Sequence, residues 1–142
     1  MPTPAVKFYS FTTDLTNAKH DFSTHAFKVM LSNTAPVLTN TAKANITEIA
    51  AGNGYTAGGA SVTLSKSNAS GVESLIITSD VVWTASGGSI AAFRYVVLYN
   101  DTQTTPAKPL VCYWDYGSSI SPSTGQTFTL DLDQVNGIMQ IG

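Results

Sequence analysis

Asp14, His20, Asp21 and His25 cluster near the N-terminus and are the residues whose types could hold a metal. Zinc takes imidazole and carboxylate ligands, but its sites use recurrent short spacings, and two histidines five positions apart match none of them. They read as surface or turn histidines, and no metal or other cofactor is expected. Cys112 is the one cysteine, so no intramolecular disulfide can form. It lies in the apolar run Leu110-Val111-Cys112-Tyr113-Trp114 and reads as a small packed hydrophobe rather than a nucleophile.

Other catalytic patterns fail one by one. There is no Gly-x-Ser-x-Gly elbow, and no histidine neighbours Cys112 in sequence. Asp131 and Asp133 share an outward face of one strand, which suits solvent or a weak cation site better than a carboxylate pair across a cleft. The Gly52-Asn53-Gly54 triplet is not followed by a dinucleotide fingerprint or a useful helix, so a phosphate role is not expected. Asn-x-Ser/Thr sequons at Asn45, Asn68 and Asn100 are what frequent hydroxyl residues produce by chance. The chain is not expected to be an enzyme.

Two groups of side chains keep a possible contact role. Tyr55, Trp83, Tyr95, Tyr99, Tyr113, Trp114 and Tyr116 could pack the core, stack on a sugar, or anchor an interface. Arg94 is the only arginine, set inside Phe93-Arg94-Tyr95-Val96-Val97-Leu98-Tyr99. A guanidinium there needs an anionic partner, either Asp115 or Asp80 within the chain or a carboxylate of a neighbouring subunit.

The elements that must position these residues are strands. Alternating or continuous apolar runs predict strands at 5–13, 26–31, 61–66, 74–83, 90–99, 110–116, 127–132 and 138–141. Asn136-Gly137 before the last run is a two-residue hairpin signal. Residues 42–50 could form a short helix or turn ended by Gly52, and no longer helical period occurs. Gly58-Gly59 and Gly87-Gly88 each precede a β-branched run. The expected fold is all-β, a single-domain sandwich over residues 1–142, with an eight-stranded jelly roll as the natural arrangement. Jelly-roll enzymes of the cupin type bring a His-x-His pair and later ligands, which this chain lacks. The runs 74–83 and 90–99 are apolar on both faces, so the second face should meet another layer or another subunit.

Composition narrows the partners. Charged residues make up only 11 % of the 142, against about 25 % in ordinary globular domains. Hydroxyl, amide and glycine residues therefore carry the polar surface, as in a neutral-coated virion or secreted protein or a surface covered in an assembly. A net charge of −2 with no basic stripe excludes a nucleic-acid binder. No apolar run reaches the roughly 18 residues of a membrane span. The start, Met1-Pro2-Thr3-Pro4-Ala5-Val6-Lys7-Phe8, lacks the pattern of a signal peptide, so synthesis and assembly in a cytoplasm are expected.

Five segments together carry a resemblance: 27–36 (FKVMLSNTAP), 46–59 (ITEIAAGNGYTAGG), 83–88 (WTASGG), 93–101 (FRYVVLYND) and 114–117 (WDYG). In this order, over most of the chain, they resemble a family of small virion structural proteins encoded among the head genes of tailed double-stranded DNA bacteriophages. The resemblance implies a capsid cement or decoration protein: a compact sandwich or jelly roll, trimeric, on the outer capsid surface of the virion at local threefold positions. The implied partners are the major capsid protein and two further copies of this chain. Within that reading Tyr55, at the tip of a reaching loop, Gly58, Gly59, Arg94, Tyr99 and Tyr116 are the expected interface residues. The alternative is a tail- or fibre-associated carbohydrate-binding module with Trp83, Trp114 or Tyr116 as an exposed platform.

Overall fold

A computed structural model describes residues 4–142. Among these residues the chain forms ten strands, one helix and a single 3-10 turn. They are β1 (Val6–Lys7), α1 (Tyr9–Thr16), β2 (Phe27–Ser32), the 3-10 turn Lys43–Asn45, β3 (Ala60–Val62), β4 (Leu64–Ala69), β5 (Val72–Ile77), β6 (Val81–Thr84), β7 (Phe93–Asn100), β8 (Leu110–Ile120), β9 (Thr127–Leu130) and β10 (Met139–Ile141). They build an all-β sandwich of antiparallel sheets. A five-stranded sheet in the order β1-β8-β7-β2-β3 faces a three-stranded sheet β10-β5-β4 and a two-stranded sheet β6-β9. No helix among the described residues is long and apolar enough to cross a membrane.

The main core lies between these layers. Phe27, Val29 and Leu31 of β2 and Val96 and Leu98 of β7 meet Leu75 and Ile77 of β5, Trp83 of β6 and Phe128 and Leu130 of β9. Alternation sends the intervening side chains to the opposite face. There Met30, Val97, Tyr99 and Leu110 are buried with Phe8, and Ile46 and Tyr113 pack against them. The second apolar face is thus covered by the chain's own N-terminal segment and its 42–48 region, so no neighbouring subunit is needed to bury it.

Three sequence expectations change. The expected strand over 5–13 ends at Lys7 and becomes α1. Strand alternation would put Tyr9 and Phe11 on one face, yet Tyr9 is 63 % exposed and Phe11 1 %. Phe8 stays extended as the N-cap and is buried in the second cluster, while within the helix only Phe11 is buried, in the main core. The run 74–83 is two strands in two sheets, because Asp80 turns the chain by accepting from the Leu132 N–H and the Gln134 amide. This break, with the separation of β3 from β4, helps raise the strand count from eight to ten. Of the helix or turn expected at 42–50, the chain makes the turn, the 3-10 turn Lys43–Asn45.

Finally, Asn136-Gly137 closes no hairpin: β10 pairs with β5, while β9 pairs with β6. Asp133 organises the turn by accepting from the Val135 and Asn136 N–H groups. Gly137, at φ +85°, passes so near Leu75 that a Cβ would lie 2.3 Å from the Leu75 carbonyl oxygen. The turn delivers the chain to the edge of β5 instead of folding it back on β9.

Gly59 is a second close approach. Its φ is +84° and a Cβ would sit 1.8 Å from the Val29 carbonyl oxygen, where β3 docks on β2. Gly59→Ala is expected to lower the unfolding free energy by about 3 kcal/mol or more, from backbone strain plus the clash. Gly87→Ala, at φ +75° with open space around it, should lose only about 1 kcal/mol. Urea denaturation of the two variants checks the difference.

Candidate functional site

Between Ile49 and Ser65 the sequence carries no Asp, Glu, Lys, Arg or His, and the last acid before it is Glu48. That carboxylate organises the loop. Its Oε2 accepts the Tyr55 hydroxyl at 2.6 Å and the Gly58 N–H at 2.6 Å, and its Oε1 pairs with Lys43 Nζ at 3.3 Å. The Tyr55 hydroxyl in turn accepts the Leu31 N–H at 3.1 Å. Tyr99 donates to the Gly58 carbonyl, and Lys43 lies 5.7 Å from the centre of the Tyr99 ring. Burial, followed by the nearby Glu48, pushes the Tyr55 phenol far up, so it stays a protonated donor. Burial raises the Tyr99 phenol likewise, helped by Asp101 and Glu48.

Tyr55, Gly58, Gly59 and Tyr99 are therefore brought together, but not as a contact surface. Tyr55 is 2 % exposed and Tyr99 1 %. Tyr55 is not the tip of a reaching loop; both rings point inward and brace it. Glu48, the residue that gathers them, was not among the expected site residues. Its signal was available: it is the lone acid at the head of a long charge-free run.

What the bracing presents outward is the other side of the loop. The Ser86 N–H donates to the Asn53 carbonyl, and the Asn53 amide donates to the Ser89 carbonyl at 2.9 Å. Gly54 passes so close to Thr84 that a Cβ would lie 2.1 Å from its carbonyl oxygen. On the far side, the Ala85 N–H donates to Gln126, Gly125 donates to Ala85, and Ile90 donates to Pro122. The Ser121 hydroxyl adds a 2.6 Å bond to the Ile90 carbonyl. Loops 50–57, 85–89 and 121–126 thus lie side by side, cross-linked by backbone hydrogen bonds. Gly52, Asn53, Thr56, Ala57, Ser86 and Gly87 are exposed on this face. Beside it lies an open hollow of about 650 Å³ lined by Ile120, Ser121, Pro122, Gly125, Gln126 and Thr127. None of the three loops carries a charged side chain.

Arg94 and Tyr116 lie apart from this bracing network. Arg94 makes a bidentate pair with Asp115, at 2.7 and 3.0 Å, and lies over the Tyr95 ring. The Arg94 hydrogen bond holds the Asp115 carboxyl below its usual range. Of the two expected partners Asp115 is the one used, and the pair lies within the chain. Tyr116 is 44 % exposed, edge-on to Phe128 at 5.5 Å. Trp83 and Trp114 are 5 % and 2 % exposed. The exposed tryptophan platform of the carbohydrate reading is therefore not formed. Cys112 is fully buried, and burial pushes its thiol far up.

His20 and His25 do converge, but on the amide of Asn100. An amide nitrogen that donates to both rings leaves nothing for a cation there.

Tyr55→Phe removes the donor to Glu48 and the acceptor of the buried Leu31 N–H. The expected loss is about 1–3 kcal/mol in denaturant unfolding. Tyr116→Phe, whose hydroxyl is exposed, is expected to change stability by less than about 0.5 kcal/mol. Compared with protein-family models, with curated proteins and with solved structures, the chain matches none, so its duty is read from this geometry.

Proposed function

We propose that the chain is a non-catalytic structural protein of a phage virion, which binds the outside of the capsid and cements the shell. The observation that carries the reading is the charge-free face built from three loops that fasten one another. Interface cores are depleted in Lys, Glu and Asp, because each charge taken out of water there needs its own partner. A face without charges avoids that penalty against a fixed protein surface. Its backbone bonds also hold the loops in place before contact, so little ordering entropy is lost on docking.

The partner in this reading is the major capsid protein, met by a homotrimer of this chain. Binding to the expanded shell but not to its precursor stabilises the expanded form by mass action. Three copies held together make weak individual contacts add up. Localisation on the virion surface follows, with synthesis in the host cytoplasm.

The test is binding of the purified protein to expanded and precursor shells of the phage that encodes it, followed by co-sedimentation. Binding to expanded shells, with release at higher temperature than bare shells disassemble, is the expected result. Ala57→Glu and Ser86→Glu should each weaken that binding by about 10- to 100-fold, from a charge desolvated without a partner. Ser67→Glu, on the exposed strand β4, should leave it unchanged. Recovery of the protein only with tails, or indifference of binding to both loop charges, would sink the reading.

A further inference from the structure

Asn100 ends β7 and is fully buried. Its Oδ1 accepts the backbone N–H groups of Thr102 at 2.9 Å and Gln103 at 3.0 Å. Those two donors fix which end of the amide is oxygen, so the NH2 group faces the other way. There its nitrogen lies 2.9 Å from His25 Nδ1, 3.3 Å from His20 Nδ1 and 3.4 Å from the Lys19 carbonyl. The Asp21 N–H also points at His25 Nδ1, at 3.3 Å. An Nδ1 that receives N–H donors must be unprotonated. His20 is thereby held neutral, with its proton on Nε2.

We infer that Asn100, His20 and His25 form an acid-sensitive latch, which holds residues 18–25 against the end of β7 while the His20 ring is neutral and releases them when that ring is protonated. Protonation of His20 places a ring N–H against the amide N–H, turning an attractive contact into a repulsive one. His20 is set up to respond. Its Nε2–H is buried without an acceptor, and its ring packs against Phe11, Phe22 and Phe27. Release would hydrate that orphaned donor.

Of the charged groups that face the latch, Asp21 attracts a charged His25, while Glu73 and Asp101 are engaged elsewhere. Asp21, Lys66 of β4 and Glu73 of β5 share with His20 the wall of a hollow of about 490 Å³. The Asp21 carboxylate is occupied by the Ser23 and Thr24 N–H groups and the Thr24 hydroxyl, and Glu73 accepts from Asn68. On the β7 side Asp101 is paired with Lys28 and Lys108. From the helix side come Lys19, whose N–H bonds the Asp14 carbonyl, and Asp14 itself, whose carboxyl is raised by burial.

The direction follows from proton linkage. Burial, then the neighbouring His25, lowers the closed-state His20 to about 4 from an ordinary 6.5. The released form therefore binds more protons than the closed form between these values. Closure is complete above 6.5 and is lost as the pH falls towards 4. One such proton shifts the opening equilibrium about tenfold per pH unit within this window.

NMR of the intact protein tests the latch. At pH 7.5 the His20 ring should show the Nε2–H tautomer. Between pH 7.5 and 5.5 the opening of the Ala26, Thr102 and Gln103 amides, corrected for intrinsic exchange, should rise by about tenfold or more. Amides at the centre of β2 and β7 should not follow. An Nδ1–H tautomer on His20, or opening that changes by less than about twofold over that range, overturns the proposal. Asn100→Asp keeps the acceptor for Thr102 and Gln103 but offers the rings an oxygen. In that variant the dependence should invert, with residues 18–25 held more firmly at pH 5.5 than at 7.5. His20→Phe keeps the ring packing, and should flatten the acid response while leaving the neutral-pH structure unchanged; an undiminished response in it also overturns the latch.

Discussion

Burial of both faces of one five-stranded sheet by a single short chain is the constraint on which the rest of the structure depends. Val29, Leu31, Val96 and Leu98 must leave water on one side, and Met30, Val97 and Leu110 on the other. Each is fully buried, and each contributes about 1.5–3 kcal/mol in doing so. The two smaller sheets cover the first side. The second side receives no sheet, so Phe8 and Ile46, from irregular segments, must cover it. Irregular segments bring unpaired backbone groups, which have to be bonded where they dock. The polar details of this protein are largely answers to that requirement.

Glu48 is the clearest of these answers. A carboxylate with two donors on one oxygen and a lysine on the other ties the 42–59 region to itself and to β2. The Ser32 hydroxyl, fully buried, does similar work by donating to the Thr47 carbonyl and accepting the Thr34 N–H. Inward bracing fixes the outward geometry of the same loop. The face made with loops 85–89 and 121–126 is rigid because its underside is spoken for, and Asn100 plays the corresponding part for residues 18–25 at the end of β7.

The fold class was legible because strand alternation and turn residues are local signals; β2, β7, β8 and β9 lie close to where the pattern put them. The failures share one cause. Tyr9 and Phe11 fit either period until a partner surface selects one, and that surface, β8 and the 37–38 turn, is far away in sequence. Asn136-Gly137 is an apt hairpin turn locally, yet the free edge of β5 competes for the strand that follows. Tyrosines at loop tips and strand ends look like contact residues when their hydrogen-bond partners are unseen. Tyr55 and Tyr99 are sent inward by Glu48 and Gly58, residues that composition does not single out.

Low charge alone does not separate a neutral coat from a contact surface, but its distribution does. Stretches 49–65, 81–93 and 116–130 make up about a third of the chain and hold none of its seven basic and nine acidic residues. A uniformly neutral coat would place several there. Elsewhere several charges are paired with one another: Arg94 with Asp115, Lys43 with Glu48, and Lys28 and Lys108 with Asp101. Such pairs are worth little in stability when exposed. On the proposed reading, segregation of this kind serves a surface that must be desolvated, which favours the loop end, rather than the sheet carrying Arg94, as the face to meet a neighbour.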